Sequence, residues 1–332
     1  MRRCADRCVG RSVGRSVGRS VRAAIGLTAA AAALDGCGAG GNGPTGRPMG
    51  GARVCSTTAP PGAFRPDPAL FASKGPPGPG DWLAVHPEHG QSFEDYVHAG
   101  PARPTAARDV IVLQPIGPFT PEQTDLLETL SAYLAAFYQL KTRLAEPLPL
   151  PNLGMRARAV DGEILVQYRA DLIENGLKPR LPPDAVAYLG ITMSDLFADW
   201  AWEYIFGLAS LEHRVGVFSL ARYLPETLGE PDTPAARQKM LRRALIVMSH
   251  EAGHMFSLPH CTAYRCLMNG VGSLDELDRS TPWLCPDCLR KVYFSIGFDF
   301  SKRYEELRAF HAARGIPGEV DWIDHRMAQL RH

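Results

Sequence analysis

The run His250-Glu251-Ala252-Gly253-His254 sets two imidazoles four positions apart, with a carboxylate between them. In a helix, residues four apart lie on adjacent turns of one face, so one metal ion can reach both rings. Neutral imidazole nitrogen is a suitable zinc ligand. Glu251 can then lean toward the open metal position, take a proton from water activated at zinc and return one to a departing amine. An Asp would be one methylene short of that reach. His260 lies six residues beyond His254 and supplies a third ligand if the chain leaves the helix and turns back over the metal. The spacing predicts a catalytic zinc on His250, His254 and His260, Glu251 as general base, and peptide-bond hydrolysis as the reaction.

A second set of ligand types follows at once. Cys261 and Cys266 form one close pair, and Cys285-Pro286-Asp287-Cys288 contains another. Four thiolates match a closed tetrahedral zinc site with no position left for substrate; two disulfides are the alternative if the protein is exported. Because Cys261 follows His260 directly, anchoring it would also fix the backbone that enters the catalytic site. Two zinc ions per chain are expected, one catalytic and one structural. Met268, just ahead of the turn signal Asn269-Gly270, is placed to form a soft apolar floor under the imidazoles.

These side chains need a helix, a bend and a scaffold. Thr233-Pro234 opens the helix, and Leu241, Ala244, Leu245, Met248, Ala252 and Met255 form its apolar stripe. Thr120-Pro121-Glu122-Gln123 is another helix start, in which Thr120 caps and Gln123 reaches back. Leu126, Leu127, Leu130, Leu134, Phe137 and Tyr138 follow at helical spacing as core candidates. Residues 110–113, 185–192, 205–208 and 214–220 read as strands, with 110–113 ended by Pro115 and Gly117. Residues 164–168 read as a strand or a helix start, and Leu274–Asp278 as an acidic helical link. The simplest packing is a mixed sheet with helices.

Charge and composition bound the rest. The chain has 332 residues, 45% of them apolar, with 36 Lys and Arg against 35 Asp and Glu. Residues 1–60 carry nine Arg and two acidic residues, a charge of +7 out of +1 for the whole chain, which leaves −6 on the remainder by difference. A slightly acidic body without a basic cluster argues against a nucleic-acid partner, and no Gly-rich phosphate loop with its Lys is present. The repeat GRSVGRSVGRSV, the apolar run 23–34 and Cys37 match a secretory signal ending in a lipid-modified cysteine. A disordered basic tail is the other reading, so cytoplasmic and exported locations both stay open. No apolar run is long enough to cross a membrane.

Five segments follow: a signal or basic tail at 1–37, a Gly/Pro-rich linker at 38–80, an N-terminal extension at 81–107, a catalytic domain at 108–310 and a C-terminal extension at 311–332. In the extension, His86 and His89 flank Glu88. Pro87 and Gly90 weaken any helix that would present them to a metal, so they read as surface or packing histidines. Cys55 has a flexible neighbourhood from which a thiol could cap a catalytic zinc.

The pattern His250-Glu251-x-x-His254-x-x-Ser257-x-x-His260-Cys261-x4-Cys266-x-Met268, with Cys285-x2-Cys288, resembles the archaemetzincins, zinc peptidases of the metzincin group. The resemblance implies an α/β zincin-like fold: a mixed sheet, an active-site helix and a structural Cys4 zinc site. It assigns His250, His254 and His260 to catalytic zinc, Glu251 to the base, Met268 to the turn beneath the site, and Cys261, Cys266, Cys285 and Cys288 to structural zinc. It implies a peptide or protein substrate, cleaved in some members at a free N-terminus. Ser257 departs from the usual glycine, where a left-handed backbone would cost a serine roughly 1 kcal/mol. A catalytically weak or silent zinc-containing peptide-binding or scaffold protein is the alternative, and the intact Glu251 argues against it.

Overall fold

The computed structural model describes residues 59–60, 62–160, 163–200 and 202–331. Two short helices, α1 (Trp82–Val85) and α2 (Phe93–His98), precede strand β1 (Val110–Ile116) and helix α3 (Pro121–Tyr138). Strands β2 (Lys141–Leu144), β3 (Met155–Val160) and β4 (Glu163–Arg169) lead to helix α4 (Ala170–Leu177). Then come β5 (Ala185–Thr192), β6 (Asp195–Phe197), β7 (Gly207–Ala209) and β8 (Val215–Ser219). Five helices complete the chain: α5 (Pro234–Met255), α6 (Leu274–Asp278), α7 (Pro286–Ile296), α8 (Phe300–Ala313) and α9 (Pro317–Leu330).

The main sheet has the order β2-β1-β5-β8-β7, parallel except for the antiparallel outer strand β7. Both faces of its centre are covered, as a parallel sheet requires. Ile111, Leu113, Leu189, Ile191 and Phe218 pack with Leu127, Leu130 and Leu134 of α3 and with Met248 and Ala252 of α5. Val112, Ile116, Tyr188 and Val217 point the other way, onto Ala170, Ile173 and Leu177 of α4. A smaller sheet, β3-β4-β6, stands beside the first.

Local signals explain the two helices nearest the site. Thr120 accepts from the Gln123 amide and Gln123 from the Thr120 amide, closing a capping box ahead of α3. Thr233 accepts from the Ala236 amide, with Pro234 in the first turn of α5. Strand β1 runs on through Pro115, where the sequence suggested a stop. The Pro115 carbonyl accepts from Leu148, on the β2 side, and β2 itself ends opposite Leu113, so no β2 residue needs the missing amide of Pro115. The expected strand at 205–208 forms as Gly207–Ala209, with Ile205 reduced to a bridge to Leu196.

The described part of the 38–80 linker is docked: Ala63 and Phe71 are buried, and Phe64 packs against Tyr293 and Phe300. It has too few apolar residues for a core of its own and joins an existing one. Beyond residue 310, α8 continues to Ala313, and Trp322 of α9 stacks on Trp283 at 4.4 Å. The segment 1–37, its anchor candidate Cys37, and Cys4, Cys8 and Cys55 lie outside the described residues. Among the described residues no helix is long and apolar enough to cross a membrane.

Candidate active site

Helix α5 carries His250 and His254 on its last two turns, and the chain that leaves it brings back His260. The ring centroids of His250 and His254 are 4.5 Å apart, and those of His260 lie 5.2 Å and 5.1 Å from them. One ligand atom from each of the three falls within 4.8 Å of the others. Two buried phenols hold the end of the helix: Tyr138 donates to the Ser249 carbonyl at 2.7 Å, and Tyr96 to the Phe256 carbonyl at 2.8 Å.

Each imidazole has one nitrogen already engaged. Nδ1 of His250 lies 2.8 Å from the Leu267 carbonyl, and Nδ1 of His254 lies 2.7 Å from that of Leu258. Nδ1 of His260 meets both carboxylate oxygens of Glu88, at 2.9 Å and 2.8 Å. A carbonyl or an ionised carboxylate can only accept, so Nδ1 carries the proton in each ring and Nε2 keeps the lone pair a metal needs. Burial, then the neighbouring imidazoles, push His250 well below its ordinary value and His254 down to about 4, which keeps both rings neutral. The donor set suits zinc.

Glu251 is buried, and burial pushes its carboxyl up to about 8. A divalent cation beside it would oppose that shift. Its carboxylate lies over Gly207 of β7, where an added Cβ would fall 2.5 Å from Oε1. The outer strand of the sheet therefore runs directly past this carboxyl, and only glycine leaves room for it.

The exit from α5 takes the conformation its sequence makes costly. Ser257 has φ +65°, in the left-handed region. Its hydroxyl donates to the Leu211 carbonyl at 2.9 Å, which offsets part of the strain. Met268 is wholly buried beneath the helix, and a Cβ on Gly253 would collide with its sulfur.

Cys261, Cys266, Cys285 and Cys288 converge in the same way, with ligand atoms within 4.8 Å of one another. All four are buried free thiols, not the two disulfides of the alternative. Backbone amides of Met268 and Cys285 donate to the Cys266 sulfur, and that of Cys288 to the Cys285 sulfur, which fixes where these sulfurs sit; burial pushes the Cys266 thiol up. The sulfurs crowd closely enough to push the Cys261 thiol well down, chiefly through hydrogen bonding with Cys266 and then Cys285 and Cys288. Buried Asn269 braces the loop between the first two cysteines, accepting from the Cys266 amide and donating to the carbonyls of Cys261 and Tyr264.

The structure thus gathers His250, His254 and His260 into one group and the four cysteines into another. His86 and His89 belong to neither; His86 stacks on Trp202 at 4.9 Å. Sequence reasoning missed Glu88, Trp82 and Gly207. Only the pairing of a Trp and a Glu in a polar, Pro-interrupted segment hinted at the first two, and nothing local marked Gly207.

The model of peptidase family M54 matches residues 165–293. Archaemetzincin-2 of Macaca fascicularis is 34% identical over 290 residues, spanning 79% of this chain and 77% of that protein. Archaemetzincin-2 of Homo sapiens is 33% identical over 290 residues, with the same coverage of 79% and 77%. A crystal structure of archaemetzincin from Methanopyrus kandleri covers 58% of this chain and 97% of that one, at 24% identity and a TM-score of 0.46. With 34% identity to a curated relative across 79% of its length, the chain belongs to the archaemetzincin family of zinc metallopeptidases.

Proposed function

We propose that this peptidase holds a catalytic zinc on His250, His254 and His260 and a structural zinc on Cys261, Cys266, Cys285 and Cys288, with Glu251 as the general base. The observation that carries the division is the contrast in access: the histidines are half-buried and the four cysteines fully buried. An open site admits substrate, whereas a closed one serves folding. When bound, zinc at the histidines would supply Lewis-acid polarisation of the scissile carbonyl. The protein's own part is then positional. Three imidazoles with Nδ1 engaged turn Nε2 toward one point, and Glu251, in a buried setting that favours proton uptake, accepts a proton from water and passes it to the departing amine. Outer strand β7 offers an edge along which an extended peptide can lie, with Gly207 leading it past Glu251.

The test combines metal content with cleavage of a peptide library by wild type and Glu251→Ala. About two zinc ions per chain are expected in both proteins, with cleavage by the variant reduced about 10²- to 10⁴-fold. Equal cleavage rates would reject Glu251 as the base. Aminopeptidase action is the finer form of this reading, and it requires that acetylating the substrate N-terminus abolish cleavage. Equal turnover of acetylated and free peptides would make the enzyme an endopeptidase.

A further inference from the structure

We propose that Glu88 is a positioning residue of the metal centre, its carboxylate fixing the ring and tautomer of His260. The inference rests on the reading of His260 as a zinc ligand.

The three histidines are not oriented alike. His250 and His254 direct Nδ1 to backbone carbonyls only 17 and 4 residues away in the sequence. His260 stands beyond Pro259 on the exit loop, and its partner comes from 172 residues away in the sequence. That partner is also the only charged one of the three. Both its oxygens face Nδ1, and it lies outside residues 165–293, the family-model match.

Glu88 is itself held in place. Trp82 Nε1 donates to its Oε1 at 2.8 Å, and the Trp82 ring meets His260 edge-on with centroids 5.2 Å apart. The Trp82 amide donates to Glu276 at 3.0 Å, and the indole covers Gly270 so closely that a Cβ there would collide with it. Asp81 pairs with Arg279 at 2.8 Å. Further along, Lys291 donates to the Gln91 carbonyl at 2.5 Å, and Tyr96 is bound to Phe256 as described. Between these anchors Val85, Pro87, His89 and Gly90 are exposed. The segment is a strap pinned at both ends, whose half-buried middle carboxylate is spent on one metal-site imidazole. A carboxylate behind a ligating histidine raises its basicity and limits ring rotation, and losing such a partner typically weakens metal binding 10- to 100-fold.

The experiment uses the full chain as wild type, Glu88→Gln, Glu88→Asp and His260→Ala. It reads zinc release to a chromophoric chelator, the visible spectrum after cobalt substitution, and kcat and KM separately. In Glu88→Gln one of two metals should bind about 10- to 100-fold more weakly, with the other unchanged as internal evidence of folding. The cobalt bands should shift and kcat should fall at nearly constant KM, and Glu88→Asp should recover most of the loss. Wild-type release and spectrum for Glu88→Gln, while His260→Ala loses a metal, would overturn the role of Glu88 and leave the histidine site standing. Wild-type release by both variants would overturn the histidine site and the Glu88 assignment with it.

Discussion

At Ser257 two effects of similar size oppose one another. A non-glycine residue at φ +65° gives up roughly 1 kcal/mol, and a hydrogen bond such as the one to Leu211 returns about 0.5–1.5 kcal/mol. Ser257→Gly relieves the strain and removes the hydroxyl together, so its stability should stay within about 1 kcal/mol of wild type. Ser257→Ala keeps the strain and loses the bond. It should be the least stable of the three, by about 1 kcal/mol in urea unfolding. An alanine variant as stable as wild type would mean that the hydroxyl offsets nothing. The cost of serine here was legible in the sequence from the motif alone. Its compensation was not, because Leu211 is 46 residues away and reaches Ser257 only through the fold.

Between elements, the fit of α5 onto Met268 decides how firmly the site is floored. Alanine at Gly253 would gain about 1 kcal/mol of helix propensity but overpack a buried contact, which typically costs about 1–3 kcal/mol. The clash should win, leaving Gly253→Ala less stable than wild type. In a Met268→Ala background, itself about 2–5 kcal/mol less stable, the obstruction is gone and the same substitution should become stabilising. Additive effects in this double-mutant cycle would show that helix and sulfur are not in conflict. Helices α3 and α5 and strand β5 could be read from the sequence because caps, prolines and periodicity are local. Strand β3 could not, because its pattern is inverted. Arg156 and Arg158 turn inward and donate to the carbonyls of Trp202 and Glu203, whereas Met155, Ile164 and Val166 of the β3–β4 hairpin are exposed. An arginine satisfied by loop carbonyls looks in sequence like a solvent-facing one. Glu88 was hidden for the same kind of reason, since its partner is fixed only by tertiary structure.

At the scale of the whole described body, its first described residues pack against its last helix on the helical side of the core. Arg326 of α9 is fully buried and donates to the carbonyls of Gly62 and Ala63, which ties the docked N-terminal segment to the last helix. Nearby, His311 of α8 is 1% exposed, and neither ring nitrogen has a partner. Tyr133 of α3, Trp283 and Phe310 surround it, with Arg314 and the Arg242–Glu319 pair as the adjacent charges. Burial, then Arg314 and Arg242, push it from 6.5 down to about 4. The unfolded chain therefore takes up this proton as pH falls through 6.5, whereas the fold resists it until about 4. Across that window the unfolded state binds more protons, so stability must decline with acidification, by at most about 3 kcal/mol from this one group. Glu319 works in the opposite sense, because burial raises its carboxyl and the stability it contributes is lost as pH rises. His311→Leu removes the titration and the unpartnered ring together. It should match or exceed wild type near neutrality, and its advantage should grow steadily from pH 6.5 toward 4 in chemical denaturation. The metal-site imidazoles are common to both proteins and cancel in that difference, so parallel pH profiles would mean that the buried ring carries no part of the acid sensitivity of the fold.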